Sequence, residues 1–245
     1  MNRFMIAPGA RVGACVALDA AEAHHALKVL RVEAGEHVCL SDGAGCLWQA
    51  AIEQAAPEGV VARITGALPA CESPLRVTVY QGLPKADKLE TLAQKLTELG
   101  VCALAPVRMA RSVVKLDARE GEKKCERLRR IALEAVKQCG RARVMQVERV
   151  LGWDEALEQM RAHALFVMPW EAVRAGGLAQ IAAQYPSARD MAILIGPEGG
   201  IAPEEAAQAI AAGAHAVTLG PRILRTETAA LAASALAQLL WGDMG

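Results

Sequence analysis

Two glycine–proline loops near the C-terminus contain the residues best suited to bind a ligand. Residues 196–200 are Gly-Pro-Glu-Gly-Gly, and residues 220–226 are Gly-Pro-Arg-Ile-Leu-Arg-Thr. Each loop follows a short apolar run, residues 192–195 and 217–219, that predicts a buried parallel strand. Proline cannot donate to a β ladder, and glycine lets a backbone approach a ligand closely. Because open α/β sheets bind ligands at the carboxyl ends of their strands, the two loops predict a binding crevice there.

Either loop alone also fits an ordinary tight turn. Neither has the Gly-Lys-Ser/Thr ending of a Walker phosphate loop, and the Gly-x-Gly-x-x-Gly dinucleotide pattern is absent. The pair of loops favours a site because Arg225, Thr226 and Glu227 follow at the start of a helix, with Thr226 as the predicted N-cap.

The predicted crevice lies at the edge of a sheet, and the chain from residue 75 onward has the pattern of alternating strands and helices that would form this sheet. Strands are predicted at residues 76–81, 101–107, 164–168, 192–195 and 217–219. Helices are predicted from Asp87 to Gly100, at residues 122–139 and 203–212, and from Thr226 onward. This alternation predicts an α/β domain with a parallel sheet and helices on both faces.

The first seventy residues have a different pattern. Strands are predicted at residues 11–18, 36–40, 46–52 and 60–68, and Asp19 with Glu22 has the spacing of a helix start. Several short strands with one helix predict a small barrel-like module. Residues 69–74 are the predicted linker, so the domains are expected at residues 1–70 and 71–245.

Charge is unevenly distributed although the 245 residues have a formal net charge of zero. Residues 106–150, the basic segment, contain 13 Arg or Lys against 6 Asp or Glu. Such a segment is typical of a surface that binds a polyanion, although it also fits a solvated helix face. The side chains expected to contact phosphates are Lys123, Lys124, Arg127, Arg130, Lys137, Arg141 and Arg143.

Seven single cysteines with no Cys-x-x-Cys pair indicate reduced thiols in a cytoplasmic protein, with neither a disulfide framework nor a zinc site. Adjacent His24 and His25 would point to different sides of a helix, so no metal is expected.

Residues 229–241 form the longest apolar stretch, which is too short to span a bilayer, and no membrane partner is expected. A helix this apolar on all sides either crosses the domain core or packs on a second subunit, and we favour a two-fold homodimer.

Residues 194–200 and 219–229 together resemble the signature of one branch of the SPOUT methyltransferases, the 16S rRNA (uracil(1498)-N(3))-methyltransferase family. Residues 24–31, 94–100, 111–115 and 241–243 are similar to the same family, so the resemblance covers essentially the whole chain. It implies an N-terminal PUA-like RNA-binding β-barrel and a SPOUT-type parallel sheet whose C-terminal chain is threaded into a trefoil knot. It also implies a cytoplasmic homodimer that acts in ribosome biogenesis on small-subunit rRNA or the 30S particle.

The resemblance implies S-adenosylmethionine as the cofactor, S-adenosylhomocysteine as the product, and no metal. The residues carried over as cofactor-binding are Ile195, Gly196, Pro197, Glu198, Gly199, Leu219, Gly220, Pro221, Ile223, Leu224 and Thr226, with Pro169 in a third wall at residues 169–171. Backbone groups of the loops can read the edges of adenine while Leu219, Ile223 and Leu224 cover its faces.

The sulfonium of the donor makes its methyl group electrophilic, so the enzyme mainly has to position the acceptor nitrogen and help it lose a proton. The uridine must be unpaired or flipped out before N3 is accessible. Arg225 is the first candidate for stabilising the negative charge that spreads onto O2 and O4. Glu198 is expected to orient the base or accept a proton, or else to hold its own loop. Arg111 is a second candidate cation or a phosphate contact. No His or Cys lies in these motifs, so no covalent enzyme–RNA intermediate is expected.

Three other interpretations remain open at this point. A SPOUT enzyme could act on another rRNA base or on tRNA, because the motifs define the cofactor better than the substrate. A catalytically inactive RNA-binding relative is a second, although the intact glycines and Arg225 argue against decay. An unrelated nucleotide-binding α/β enzyme would require the whole-length resemblance to arise by chance.

Overall fold

The computed structural model describes the whole chain, Met1–Gly245, and divides it into two compact units. The first unit comprises Met1–Glu72 and Val136–Val144, and the second comprises Ser73–Ala135 and Met145–Gly245. The sequence did not indicate that residues 136–144 belong to the first unit. The division into functional domains at residues 1–70 and 71–245 stays a prediction.

The first unit is built on one five-stranded sheet in the order β1-β3-β4-β5-β2. Its elements are β1 (Arg3–Met5), β2 (Cys15–Ala17), α1 (Ala20–His24), a turn of π-helix (His25–Leu30), β3 (His37–Ser41), β4 (Leu47–Ala56) and β5 (Gly59–Leu68). β1 runs parallel to β3, and the other pairs are antiparallel.

Alternation of apolar and polar residues along β4 and β5 places one face of this sheet in the core. Phe4, Leu40, Ile52 and Ile64 are among its largest fully buried side chains. The strand expected at residues 11–18 is confined to Cys15–Ala17, and β1 was not predicted because three residues show no readable period.

The second unit is built on a six-stranded sheet in the order β11-β9-β10-β6-β7-β8, and every pair in it is parallel. The strands are β6 (Arg76–Gly82), β7 (Ala103–Val107), β8 (Gln146–Val147), β9 (Leu165–Pro169), β10 (Asp190–Ile195) and β11 (His215–Val217). The helices are α2 (Lys88–Glu98), α3 (Ala118–Cys139), α4 (Trp153–Arg161), α5 (Leu178–Gln184), α6 (Pro203–Ala211) and α7 (Thr226–Trp241), and the last four residues of α3, 136–139, belong to the first unit. The predicted parallel α/β sheet is confirmed.

Helices cover both faces of this sheet, which explains why its strands are continuously apolar. On one face, Ala192 and Leu194 of β10 pack in a cluster with Met160 of α4 and Ala206 of α6. On the other face, α7 packs against β10, β6, α2 and α5. None of the helices is long and apolar enough to cross a membrane.

Several boundaries differ from those that the sequence predicts. β11 ends at Val217, so Leu219 lies in the following loop and not in a strand. Asp87 precedes α2 but makes no capping hydrogen bond through its side chain. α3 begins four residues earlier than expected, and α4, α5 and β8 were not predicted.

Candidate active site

Three loops leave the second sheet side by side. β11, β9 and β10 are neighbours, and the loops that follow them begin after Val217, Pro169 and Ile195. Because β9 lies between the other two strands, its loop is the middle one. The sheet therefore brings together two glycine–proline segments and a third wall that are far apart in the sequence.

The three loops line a cavity of about 820 Å³. All twelve predicted cofactor-binding residues line it: Pro169, Ile195, Gly196, Pro197, Glu198, Gly199, Leu219, Gly220, Pro221, Ile223, Leu224 and Thr226. Arg225 lines the cavity as well, whereas Arg111 does not. The roles assigned to these residues stay predictions. Lys88, Val173, Arg174, Thr218 and Arg222 also line the cavity and carried no recognisable sequence signal.

The loop after β10 folds back tightly on itself at Gly196. A Cβ atom on this residue would lie 2.8 Å from Ile201 Cγ1 and 3.0 Å from the carbonyl carbon of Gly200. The loop can close at Gly200 because that residue has a φ of +73°, in the left-handed region. Both glycines are therefore required by the path of the loop itself, before any ligand is considered.

A buried hydrogen-bond chain joins the loops after β10 and β11 beneath the cavity. Thr226 Oγ1 donates to the Gly196 carbonyl at 2.6 Å and accepts from Gln81 Nε2 at 2.8 Å. The prediction of Thr226 as N-cap was wrong, because Arg225 is the N-cap and Thr226 is the first helical residue. Gln81 was not predicted as a site residue, although a glutamine near the end of a predicted buried strand was a usable signal.

Lys88, the first residue of α2, joins a carboxylate on the loop after β10 to a carboxylate in the first turn of α7. Its Nζ lies 3.0 Å from Glu198 Oε1 and 3.0 Å from Glu227 Oε2, and the Lys85 N–H donates to Glu198 Oε1 at 2.9 Å. Burial opposes ionisation of Glu198, but the hydrogen bonds from Lys85 and Lys88 outweigh it and lower the pKa of its carboxyl. An ionised carboxylate held in this way is a weak proton acceptor, so the geometry favours the loop-holding role for Glu198.

Lys88→Met is expected to destabilise the protein in a pH-dependent way. Burial raises the pKa of Glu227, but hydrogen bonds to its carboxylate and the charge of Lys88 lower it overall, as they do for Glu198. Stabilisation from depressed carboxyl pKa values is present above their ordinary value of 4.5 and is lost as the pH falls through the folded values. Hydrogen bonds to both carboxylates raise the pKa of Lys88 above 10.5, so its contribution is lost only at still higher pH.

Urea unfolding from pH 3 to 9 therefore tests this network. The difference in unfolding free energy between wild type and Lys88→Met should be largest near neutral pH and should shrink as the pH falls below about 4. Lys95→Met is the matched control because Lys95 pairs only with Glu98 on the surface of α2. It should cost under about 0.5 kcal/mol. A Lys88→Met effect that is constant over this range would contradict the proposed coupling.

Arg225 is the uncommitted cation at the start of α7. Its side chain is exposed to solvent in the cavity wall and forms no hydrogen bond or ion pair, although its charge contributes to lowering the pKa of Glu227. An arginine so placed can contact a ligand without first breaking a contact within the protein.

Arg111 lies against the loop after β10 but outside the cavity lining. Its Nη1 donates to the Gly199 carbonyl at 3.1 Å, and its own Cβ would be 3.0 Å from a Cβ on Gly199. This contact favours a bracing role for Arg111 over a direct catalytic one.

The basic segment is more neutralised than the sequence suggests. In the second unit, Lys124 and Arg127 pair with Glu90 at 3.0 and 2.7 Å. In the first unit, Lys137 pairs with Glu22, and Arg141 pairs with Glu72. Among the expected phosphate contacts on α3, Lys123 and Arg130 are exposed and form no ion pair. The structure contains no group of three or more His, Cys, Asp or Glu side chains placed to hold a metal ion.

Comparison with protein families identifies the class of protein. A model described as "RNA methyltransferase domain" matches residues 71–238, more than half of the chain. The chain belongs to this family of RNA methyltransferases. A second model, described as "RNA methyltransferase PUA domain", matches residues 18–65. The predictions of an RNA-methylating enzyme and of a PUA-like N-terminal part are confirmed.

Individual relatives of this RNA methyltransferase agree along most of their length. Ribosomal RNA small subunit methyltransferase E of Bacillus subtilis is 37% identical over 234 residues, which cover 91% of this chain and 90% of the relative. The protein of the same name from Mycobacterium tuberculosis is 37% identical over 228 residues, which cover 90% of this chain and 85% of the relative.

Two solved structures resemble the RNA methyltransferase over nearly its whole length. One is a ribosomal RNA small subunit methyltransferase E from Neisseria gonorrhoeae bound to S-adenosyl methionine, with a TM-score of 0.89, 37% identity and all of both chains covered. The other is a Legionella pneumophila protein in complex with SAM, with a TM-score of 0.86, 31% identity and 98% of each chain covered.

Proposed function

We propose that this enzyme transfers a methyl group from S-adenosylmethionine to N3 of a specific uridine in small-subunit ribosomal RNA, position 1498 of 16S rRNA by family resemblance. The observation that carries the proposal is the cavity formed by the three loops, at the carboxyl ends of adjacent parallel strands. Its volume of about 820 Å³ falls in the usual range for cofactor sites. The names of the full-length relatives support the ribosomal substrate.

The residues present fit an adenosine-containing donor. Leu219, Ile223 and Leu224 supply apolar walls for a flat ring, and the glycine-rich loop supplies backbone groups that can read its edges. Ile223 is 88% exposed, so it is free to cover a bound ring. When bound, S-adenosylmethionine supplies an electrophilic methyl group on a sulfonium centre.

In this proposal, side chains of the enzyme position the uracil base and stabilise the negative charge that develops on it. Arg225 stabilises the negative charge that N3 deprotonation places on the uracil oxygens. Lys88 holds Glu198 and Glu227, and thereby ties the loop after β10 to the start of α7, next to Arg225. Glu198 and Arg111 support the loop after β10.

We assign residues 1–70 as an RNA-binding domain and residues 71–245 as the catalytic domain, whose helix α3 also contacts the RNA backbone and whose C-terminal chain is threaded into a knot. The homodimer is part of the same proposal. α7 buries Ala233 and Ala237 but leaves Leu236, Leu239 and Leu240 exposed by 39%, 54% and 36%, as expected for a face that packs on a second copy. Light scattering on the purified protein would contradict the dimer by returning the mass of one chain.

Two measurements test the function. Calorimetric titration with S-adenosylmethionine should show saturable binding, and its absence would remove the basis of the proposal. Mass spectrometry of nucleosides from 30S particles treated with enzyme and donor should then show 3-methyluridine at a single position. Methylation of another base, or of tRNA only, would retain the cofactor assignment and overturn the substrate.

RNA binding is expected to depend on the cations that the protein leaves unpaired. Lys123 and Arg130 are seven residues apart on α3, so they lie on one face of the helix. Reversing both charges should weaken binding of an rRNA fragment and reduce the slope of log K against log salt by about 1 to 2. Affinity for S-adenosylmethionine should not change.

The matched control is Arg161→Glu on α4, which changes an exposed arginine already paired with Glu158. Fluorescence anisotropy at several salt concentrations measures all variants. Equal losses per charge in the control and in the α3 variant would show that only net charge matters. Reversal of Lys124 and Arg127, the more obvious choice from sequence, would also break their pairs with Glu90.

A further inference from the structure

Glu171 is the acidic side chain of the middle wall of the cavity. It belongs to the loop after β9, between the loops that follow β11 and β10. The adenine-facing residues Leu219, Ile223 and Leu224 are on the β11 side, and the loop held by Lys88 and Glu198 is on the β10 side. A long ligand that contacts both outer loops must therefore pass the middle wall near its own centre.

The position of this carboxylate is coupled to a glycine on the neighbouring loop. A Cβ atom on Gly200 would lie 2.4 Å from Glu171 Oε1 and 3.4 Å from Glu171 Cδ. The carboxylate thus occupies the space that a side chain at position 200 would fill. The positive φ of Gly200 and its lack of a side chain together allow the carboxylate to lie against the loop.

Glu171 is also the carboxylate of the cavity lining that has no hydrogen-bond or ion-pair partner within the protein. The two acidic residues of the cavity lining are Glu171 and Glu198. Glu198 is committed to Lys88 and to the Lys85 N–H. Glu171 is exposed and makes no hydrogen bond or ion pair within the chain, so both of its oxygens are available to a ligand.

We propose that Glu171 binds the vicinal hydroxyl groups of the donor's ribose, accepting a hydrogen bond from each. This inference rests on the proposed function, because it takes the cavity to hold an adenosine-containing methyl donor. The ribose lies between the adenine and the amino-acid part of such a donor, which matches the middle wall. An acidic residue meets a ribose hydroxyl in the same way in dinucleotide-binding folds.

The sulfonium is bonded to C5′ of the ribose, so it is the positive group nearest to a carboxylate placed at the ribose. A carboxylate in contact with the sulfonium would stabilise the charged donor more than the transition state, in which that charge is being lost, and would slow the transfer. The ribose is unchanged by the reaction, so a hydrogen bond to it strengthens binding without this penalty. The two assignments are separable because S-adenosylhomocysteine keeps the ribose and lacks the positive sulfur.

The test is calorimetric binding to wild type, Glu171→Gln and Glu171→Ala, with three ligands. These are S-adenosylmethionine, S-adenosylhomocysteine and 2′-deoxy-S-adenosylhomocysteine. Both variants should bind the first two ligands about 10- to 100-fold more weakly, the range for hydrogen bonds to a charged group. Loss of the 2′-hydroxyl should weaken binding to wild type by about tenfold and should have almost no further effect on Glu171→Ala. The effect should be smaller than in wild type, but not absent, in Glu171→Gln, because glutamine keeps one acceptor oxygen.

Glu204→Gln is the matched control, since Glu204 is exposed on α6 and lies outside the cavity lining. It should bind all three ligands as wild type does. Loss of S-adenosylmethionine affinity with S-adenosylhomocysteine affinity retained would assign Glu171 to the sulfonium and overturn the proposal. Unchanged affinity in both variants, or an undiminished 2′-deoxy effect in them, would overturn it as well. Failure of wild type to bind either adenosyl ligand would instead refute the proposed function, and this inference with it.

Discussion

Replacing Arg225 with alanine is expected to lower kcat on 30S particles by about 10²- to 10³-fold, the usual cost of removing a group that stabilises developing negative charge. Affinity for S-adenosylmethionine should stay within about threefold of wild type. The side chain of Arg225 makes no capping hydrogen bond to α7, so its removal leaves the helix start intact. Single-turnover kinetics and calorimetry measure the two effects separately.

Arg222→Ala provides the matched control for this experiment. Arg222 is an exposed arginine of the same loop, it lines the same cavity, and it does not begin the helix. We expect its kcat to change less than about threefold. Arg225→Lys should recover part of the activity, because a point charge replaces the planar guanidinium. Full turnover by Arg225→Ala would exclude Arg225 as the stabilising cation.

Gly82→Ala is expected to displace the loop after β10 and thereby to distort the cavity. Gly82 ends β6, and a Cβ on it would lie 2.6 Å from Pro197 Cδ, 2.7 Å from Pro197 N and 2.8 Å from Met109 Sδ. Pro197 is rigid and belongs to the loop after β10, so the methyl group must displace that loop. We expect the unfolding free energy to fall by about 1–3 kcal/mol, the typical cost of overpacking. Affinity for S-adenosylmethionine should fall by at least about tenfold.

Gly66→Ala is a suitable control because no atom lies within 4 Å of a Cβ built there, although Gly66 is also in a strand. It should be nearly neutral for both stability and binding. Thermal unfolding and calorimetry give the two quantities. If Gly82→Ala bound the donor as well as wild type, the loop would have more freedom than its packing indicates.

Local patterns predicted much of the second unit. Apolar runs ending in Gly-Pro located β10 and the loop after it, because a buried parallel strand and its terminator are both local properties. The same logic placed the end of β11 two residues late, since the apolar Leu219 suggested that the strand continues to the Gly-Pro pair, whereas pairing in the sheet stops at Val217. α4 and α5 were not predicted, although Trp153, Ala156 and Met160 recur at helical spacing.

The supporting contacts of the site could not be predicted locally. Lys88 meets Glu198 and Glu227 across more than a hundred residues of sequence, and Gln81 meets Thr226 across 145. Only the sheet order makes these residues neighbours. Glu90 pairs with one lysine and one arginine of α3, Lys124 and Arg127, for the same reason, so a count of charges along the sequence overstated the cations available to RNA.

The buried hydroxyl of Thr226, bonded to the Gly196 carbonyl, has a consequence for binding kinetics. The loops after β10 and β11 are tied together by the protein's own atoms, so the cavity is preorganised and little chain entropy remains to be lost when a ligand enters. The amides of Gly200 and Ala202, which donate to the Pro197 carbonyl and to Glu205 Oε2, should therefore exchange slowly with deuterium even in ligand-free enzyme. Association should follow a single rate that rises linearly with ligand concentration, without a slower closing step.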